Sequence, residues 1–292
     1  MRRTRTLLGA ALLTVGVAPV VLPVAPAAAA AECAAPWNAS TAYNGGQVVS
    51  HNGHNWSAKW WTQNQAPGGA TVWVSQGTCG GGNPGSSAFV VSQAQFEQMF
   101  PNRNSFYTYS GLTAAMSAFP AFAGTGSDTV RKQEAAAFLA NVGHETGGLA
   151  HIVEQNTGNY PHYCDASQPY GCPAGQAAYY GRGPIQLSWN FNYKAAGDAL
   201  GIDLLHNPWL VEQDAAVAWK SALWYWMTQS GPGTMTGHNA MVNGHGFGET
   251  IRSINGGLEC DGGNPGQVQS RVNGYTRFTQ LLGVPTGGNL TC

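Results

Sequence analysis

Apolar positions follow two different periodicities along the chain. Between residues 32 and 79 they alternate in short, aromatic-rich runs separated by Asn-Gly and Pro-Gly pairs. This pattern predicts a few short strands joined by hairpins. After residue 88 they recur at helical spacing, as in the run from Trp209 to Met227. The second region is therefore predicted to be mostly α-helical, with little or no sheet.

Capping residues mark the predicted helices of the second region. Ser92 and Gln95 form a capping-box pattern, and Asp128 is placed to cap a helix that ends near Glu145. Further helices are predicted at residues 109–119, from Asn207-Pro208 to 227, and at 271–282. Long Gly-rich loops are predicted at residues 158–180, 230–248 and 255–266. Loops of that length in a compact domain usually build a site.

The first thirty residues have the composition of a secretory signal. Arg2, Arg3 and Arg5 precede an apolar run that is interrupted by Gly and Pro, and small residues follow it. We expect residues 1–31 to be a removed signal peptide and the protein to be secreted and extracellular. The alternative is an uncleaved membrane anchor. No later segment is long and apolar enough to span a membrane, so no membrane association is expected after removal.

A polar stretch divides the rest of the chain. Residues 80–87 contain only Gly, Asn, Pro and Ser, which is typical of a flexible linker. The predicted organisation is therefore a small all-β region at residues 32–79, this linker, and a larger α-rich domain at residues 88–292.

Charge and composition narrow the ligand classes. Only 9% of the residues are charged, against roughly 25% in an average globular chain. Without the three arginines of the signal, 10 basic residues remain against 14 acidic ones. This balance provides no positive field for nucleic acid. Ten Trp, eleven Tyr and ten Phe in so uncharged a chain favour a neutral, ring-shaped ligand such as a sugar.

Six cysteines in a secreted chain indicate disulfides. Six allow fifteen connectivities, and we favour the set in which consecutive cysteines pair. These pairs are Cys33–Cys79, Cys164–Cys172 and Cys260–Cys292. The first would clamp the small N-terminal region, which is too small to bury a sufficient core alone. Metal ligation is the alternative, but the chain contains no Cys-x-x-Cys motif.

Trp60 and Trp61 are adjacent in the small region. Successive strand residues point to opposite faces, so both cannot enter the core unless the backbone bends. At least one is predicted to be exposed, where a rigid aromatic ring can stack on a sugar. Packing without a binding role is the alternative.

Two glutamates are candidates for acid–base chemistry. On one continuous helix, the nine residues from Glu145 to Glu154 would place the carboxylates on opposite faces, roughly 13.5 Å apart along the axis. Gly147-Gly148 is a natural helix stop, so the chain can turn and set Glu154 across a groove from Glu145. Glycosidic cleavage needs one protonated and one ionised carboxyl group in that arrangement. The alternative for Glu145 is a structural salt bridge at a helix end.

A zinc site is an alternative at the same place. His144-Glu145 begins a His-Glu-x-x-His pattern, but Gly148 holds the fifth position and His151 falls at the wrong step. No metal is therefore predicted.

A polar loop is predicted between residues 179 and 192. Gly and Pro fix an irregular backbone there, and polar side chains project from it. These are Arg182, Gln186, Ser188, Asn190 and Asn192.

The small region resembles the chitin-binding modules of carbohydrate-binding families 5 and 12. The string Ala-Lys-Trp-Trp-Thr-Gln at residues 58–63 carries the resemblance, together with Trp37, Trp56 and Trp73. The resemblance implies that Trp60 and Trp61 form a stacking platform for chitin and that the other three are structural.

Three strings of the larger domain are similar to those of the family 19 chitinases. They are His-Glu-Thr-Gly-Gly at residues 144–148, Tyr-Tyr-Gly-Arg-Gly-Pro-Ile-Gln-Leu-Ser at 179–188 and Ile-Asn-Gly-Gly-Leu-Glu-Cys at 254–260. The resemblance implies a lysozyme-like α-rich fold and an endo-acting, inverting hydrolysis of β-1,4-linked N-acetylglucosamine.

The same resemblance assigns roles to individual residues. Glu145 would be the general acid, Glu154 the general base, and Ser188 would position the water. Arg271 and Glu259 would form a charge network with Glu145. The implied substrate-binding residues are Gln186, Asn192, Asn255 and Lys220.

Two other functions are kept open. A peptidoglycan hydrolase of related fold is one, although the acidic balance gives no attraction to anionic walls. A catalytically silent chitin-binding lectin is the other. In each case the expected partner is a polysaccharide, no cofactor is implied, and a monomer is expected.

Overall fold

The computed structural model describes residues 31–51, 54–68, 70–81 and 89–292. Except for Ala31, the predicted signal peptide lies outside these residues, as does most of the predicted linker. Among the described residues no helix is both long and apolar enough to cross a bilayer.

In the part of the small region that the structure describes, there are six strands. They are β1 (Ala31–Glu32), β2 (Ala42–Tyr43), β3 (Val48–His51), β4 (His54–Ala58), β5 (Thr62–Gln63) and β6 (Trp73–Gly81). One sheet has the order β1-β6-β4-β3, with β1 parallel to β6 and the other pairs antiparallel, and β2 pairs with β5. Its small core includes Tyr43, Val49 and Trp73, and the disulfide Cys33–Cys79 ties β6 to the start of the region.

The larger region is helical, which confirms the mostly α prediction. Its α-helices are α1 (Gln93–Met99), α2 (Tyr109–Met116), α3 (Asp128–Glu145), α4 (Asn190–Leu200), α5 (Leu210–Gln213), α6 (Ala215–Thr228), α7 (Gly237–Val242), α8 (Phe247–Glu259) and α9 (Pro265–Leu281). A 3-10 helix spans Thr157–Tyr163.

Helix α3 runs through the centre of the core. It packs along α9, and α2 packs along α6. The middle residues of α3 are buried. Among them, the Phe138 ring packs at a tilt against Trp219 and edge-on against Trp226. Because this helix is fixed along its length, its last residue, Glu145, has a defined position.

Several predicted boundaries are confirmed and others are wrong. The Ser92–Gln95 capping box is present. Asp128 does not cap α3. The hydroxyl of Ser127 does so by accepting from Val130 N, and Asp128 lies in the first turn. The run from Trp209 to Met227 is two helices, because the Asp214 carboxylate accepts from the backbone N–H groups that begin α6.

All three predicted loops contain helical residues: the 3-10 helix overlaps residues 158–180, and the other two loops contain α-helical residues. Residues 230–248 include α7, and residues 255–266 include the last turn of α8 and the start of α9. Helix α9 begins at Pro265 rather than Arg271, because Asn264 caps it and Pro occupies its first turn. Helix α4 was not predicted, since its N-cap, Trp189, has no capping side chain and a φ of 74°.

The six cysteines form three disulfides among the described residues. They pair as Cys33–Cys79, Cys164–Cys172 and Cys260–Cys292, which is the set favoured from the sequence. The last one joins Cys292 to Cys260, the residue that directly follows α8.

Candidate active site

Glu145 is the last residue of α3, and a glycine bend follows it. Gly147 and Gly148 have φ values of 61° and 85°, where a Cβ would be strained. The N–H of Gly148 donates to Gly143 O at 2.6 Å, and the N–H of Leu149 donates to the Thr146 hydroxyl at 2.7 Å. The helix therefore stops where the sequence predicted, and Glu154 lies on a separate segment.

A buried arginine joins Glu145 to a second carboxylate. Arg271 is 1% exposed, and it donates to Glu145 and to both Glu259 oxygens, the latter at 2.7 and 2.8 Å. A further N–H reaches Asn141 Oδ1 at 3.1 Å. Burial opposes ionisation of Glu259, but hydrogen bonds and charge from Arg271 outweigh it and lower the pKa of that carboxyl. The pKa of Arg271 is raised, because its two acidic partners outweigh its own burial.

Asn255 belongs to the same network. Its backbone departs from helical geometry inside α8, with φ −140° and ψ 27°. Its amide Nδ2 donates to Glu259 Oε1 at 2.8 Å. The four predicted residues Glu145, Glu259, Arg271 and Asn255 are therefore held in one hydrogen-bonded group, which we call the acid network.

Glu154 is held by different partners. Its Oε1 accepts from Asn159 Nδ2 at 2.8 Å and from the Tyr163 hydroxyl at 3.0 Å. Burial, followed by the charge of Glu154 and this hydrogen bond, raises the pKa of Tyr163 to about 12. Tyr163 therefore stays protonated and remains a donor at neutral pH. The N–H of Gly181 approaches the other carboxylate oxygen at 3.5 Å.

Backbone pairing brings Ser188 to the same place. Val153 and Leu187 both form antiparallel bridges with Arg182. Glu154 follows Val153, and Ser188 follows Leu187, so both occupy register positions beside Gly181. A Cβ at Gly181 would lie 3.1 Å from Gln186 Oε1, so Gln186 packs against this position. We call Glu154, Asn159, Tyr163 and Ser188 the base network.

Gln186 and Asn192 lie on the chain segment that carries Ser188. Gln186 has a φ of 50°, and its amide donates to Gly183 O at 3.0 Å and Ile152 O at 3.4 Å. Asn192 lies in the first turn of α4, and its amide donates to Ser188 O at 3.0 Å. In the described chain, no hydrogen bond joins the acid network to the base network. The two carboxylates are held independently.

Two polar residues of the predicted loop are not at the site surface. Arg182 is fully buried, with its Nε 2.7 Å from Glu212 and its guanidinium 3.5 Å from the Tyr180 ring centroid. Tyr180 in turn stacks on Tyr160 at 3.7 Å. Asn190 is buried as well, and its amide donates to the backbone of residues 165 and 171. Both side chains support the loops instead of presenting groups to a ligand.

Two family models match the chain. The model described as chitinase class I, of glycoside hydrolase family 19, matches residues 90–292. The chain belongs to glycoside hydrolase family 19. The model of carbohydrate-binding module family 5/12 matches residues 36–74. The protein is therefore a chitinase with a chitin-binding module, which confirms both resemblances.

Solved structures and curated relatives agree with this assignment. Chitinase C from Streptomyces griseus HUT6037 is 71% identical, and the match covers 89% of this chain and 100% of that chain at a TM-score of 0.69. A bacterial family 19 chitinase is 82% identical, over 70% of this chain and 100% of that chain, at a TM-score of 0.69. Chitinase 1 of Oryza sativa subsp. japonica is 43% identical over 74% of this chain and 79% of its own length. These matches support chitin hydrolysis over the peptidoglycan hydrolase and the silent lectin.

Lys220 of the chitinase lies on α6 and is half-buried. No ion pair to it is present in the described part of the chain. It is not hydrogen-bonded to either network there, so its predicted contact with substrate stays a prediction.

Three residues that the sequence analysis missed form hydrogen bonds in the two networks. Asn141 precedes Glu145 by one helical turn, so α-helical spacing could have placed it beside the acid network. Tyr163 directly precedes Cys164 in a loop that was predicted to build a site. No local signal points to Asn159, whose contact with Glu154 depends on the 3-10 helix that carries it.

In the binding module, Trp60 and Trp61 are both exposed, at 57% and 58%. The Lys59 ammonium lies 5.8 Å from the Trp60 ring centroid. Trp73 is buried, while Trp37 and Trp56 pack against the small core. The module therefore presents two adjacent indole rings to solvent and uses the others for packing.

Proposed function

We propose that this chitinase cleaves chitin within the chain and with inversion, Glu145 acting as general acid and Glu154 as general base. The observation that supports it is the independent anchoring of two carboxylates on either side of the Gly147-Gly148 bend. An inverting glycosidase needs one carboxyl group on each side of the scissile bond, with room for water between them. Internal cleavage is further supported by relatives named endochitinases, such as endochitinase A of Zea mays, 48% identical over 188 residues.

In the proposed reaction, Glu145 gives its proton to the glycosidic oxygen as the bond from that oxygen to C1 breaks. Glu154 takes a proton from a water molecule, whose oxygen forms a new bond to C1 on the opposite face. Ser188 lies across Gly181 from Glu154 in the bridge register and would hold that water. Asn159 and Tyr163 donate to the base carboxylate and fix its orientation.

The remaining proposed residues either hold the Glu145 carboxyl group in place or bind the substrate. Arg271 and Glu259 hold the Glu145 carboxyl group in place, because a buried cation beside two acids fixes both. The amides of Gln186, Asn192 and Asn255, with the ammonium of Lys220, would bind the N-acetyl sugars.

The configuration of the first product tests the mechanism. Chitin hexamer is digested in an NMR tube, and the anomeric proton signals are followed before mutarotation equilibrates them. We expect the new reducing ends to appear first as α-anomers, because the water attacks opposite the leaving group. Initial β-anomers would contradict inversion and the role of Glu154 as a base.

We further propose that Trp60 and Trp61 form a flat platform for insoluble chitin. In the full chain, Trp60→Ala/Trp61→Ala should weaken adsorption to crystalline chitin about 10- to 100-fold, since burying an aromatic side chain contributes about 1.5–3 kcal/mol. Cleavage of soluble hexamer should be unchanged. Val74→Ala, an exposed apolar side chain of β6, is the matched control. Equal losses on both substrates would contradict a separate binding role.

We also infer that the chain is exported and acts as a monomer on extracellular chitin. The basic–apolar–small order of residues 1–31 supports export, as do three disulfides, which persist in oxidising compartments. The test of export is the N-terminal sequence of the secreted protein, which we expect to begin near residue 32.

A further inference from the structure

The irregular turn of α8 lies against a tyrosine that the proposed reaction does not use. Tyr225, on α6, donates its hydroxyl hydrogen to the carbonyl of Ser253 at 3.0 Å. Ser253 is buried, and it precedes by two residues the non-helical Asn255. The hydrogen bond therefore holds α8 immediately before the point where its geometry changes.

Gly231 and Gly233, which follow α6, pack against this hydrogen bond. Gly231 has a φ of 50°, and a Cβ there would lie 2.0 Å from Ser253 O and 2.5 Å from the Tyr225 hydroxyl. A Cβ at Gly233 would lie 3.2 Å from Ser253 N. Because no side chain fits at Gly231, its backbone, the Ser253 carbonyl and the Tyr225 hydroxyl form one close-packed unit.

Asn255, two residues after Ser253, connects this unit to the acid network. Asn255 donates to Glu259, Glu259 accepts from Arg271, and Arg271 donates to Glu145. Burial, followed by the negative charge of Glu145, raises the pKa of Tyr225 to about 12. The hydroxyl therefore keeps the proton that it donates to Ser253 across the working pH range.

We propose that Tyr225 is a positioning residue, whose hydroxyl fixes the Ser253 carbonyl and thereby the bend that aims Asn255 at Glu259. This inference rests on the proposed function, because it takes the acid network as the support of Glu145. Without the hydroxyl, Asn255 can rotate away from Glu259, whose carboxylate then loses a donor that orients it and pairs less closely with Arg271.

The charge of Glu145, at the end of α3, reaches Tyr225. Around Arg271 of α9, the titrating groups are His144 and Glu145 from α3 and Glu259 from α8. A change in how Arg271 is shared between the two acids will therefore alter the pH dependence of the reaction.

The test compares Tyr225→Phe with Tyr109→Phe in the full chain. Tyr109 is a fair control, because it is also half-buried and its hydroxyl donates to a backbone carbonyl, Val91 O, at 2.7 Å. Both variants lose one hydrogen bond, so similar small decreases in Tm are expected. Only Tyr225→Phe should lower kcat/KM for soluble chitin hexamer, by about 10-fold, the equivalent of one hydrogen bond.

The pH profile supplies the decisive measurement. For Tyr225→Phe the alkaline limb of kcat/KM should move to lower pH, while Tyr109→Phe should retain the wild-type profile. An unchanged profile, a decrease below 2-fold, or equal effects in both variants would overturn the positioning role. Failure of the proposed function is distinguishable, because it would appear in the wild-type enzyme as an initial β-anomer.

Discussion

Glu145→Gln is expected to lower kcat for chitin oligosaccharides by about 10²–10⁴-fold, the usual contribution of a general acid, with KM nearly unchanged. Glutamine has the same shape, and its amide oxygen can still accept from Arg271. It has no acidic proton to give to the leaving oxygen. The measurement is the initial rate of reducing-end release from chitin hexamer across a range of substrate concentrations.

Glu97→Gln is the matched control for this prediction. Glu97 lies on α1 and is exposed, so the same chemical change there should leave the rate at the wild-type value. Thermal unfolding of both variants shows whether the fold is retained. A Glu145→Gln enzyme that cuts hexamer at near wild-type rate would make the general-acid assignment wrong.

Local signals in the sequence were sufficient for the framework of the site. The glycine pair located the C-terminal end of α3 and with it Glu145, while the start was predicted one residue late, because Ser127 and not Asp128 caps the helix. Each of these residues affects only the backbone within a few positions of itself, so its effect can be predicted without knowing the rest of the fold. Strand alternation predicted that at least one of Trp60 and Trp61 is exposed. Both are exposed, and they lie between β4 and β5 and not within a strand.

Contacts between segments that are distant in the chain could not be predicted from such local signals. Arg182 belongs to a polar string that suggested a ligand-binding loop, but its ion pair with Glu212 and its stacking on Tyr180 bury it completely. The irregular turn at Asn255 depends on Tyr225, 30 positions earlier in the chain. Neither arrangement has a local pattern, because the deciding partner, Glu212 on α5 or Tyr225 on α6, lies far away in the chain.

Arg271→Met is expected to destabilise the enzyme by about 3–5 kcal/mol, the cost of breaking a buried ion pair by removing one partner. The methionine side chain occupies part of the same space but carries no charge. It leaves Glu259, which is only 3% exposed, without its cation. At pH 7 this carboxyl is ionised, because Arg271 holds its pKa below the ordinary value of 4.5 in the wild-type enzyme. Urea unfolding at pH 7 measures the loss. The surface variant Arg252→Met, which removes a two-pronged contact to exposed Asp261, should change stability little.

A second variant separates stability from catalysis. In Arg271→Met/Glu259→Gln the uncompensated charge is gone, so most of the lost unfolding free energy should return. Activity should not return, because the Glu145 carboxyl group still lacks the donor that holds it toward the substrate. Recovery of kcat together with stability would show that Arg271 acts only on the fold. Equal instability of the single and double variants would show that the buried charge of Glu259 is not what makes the loss of Arg271 costly.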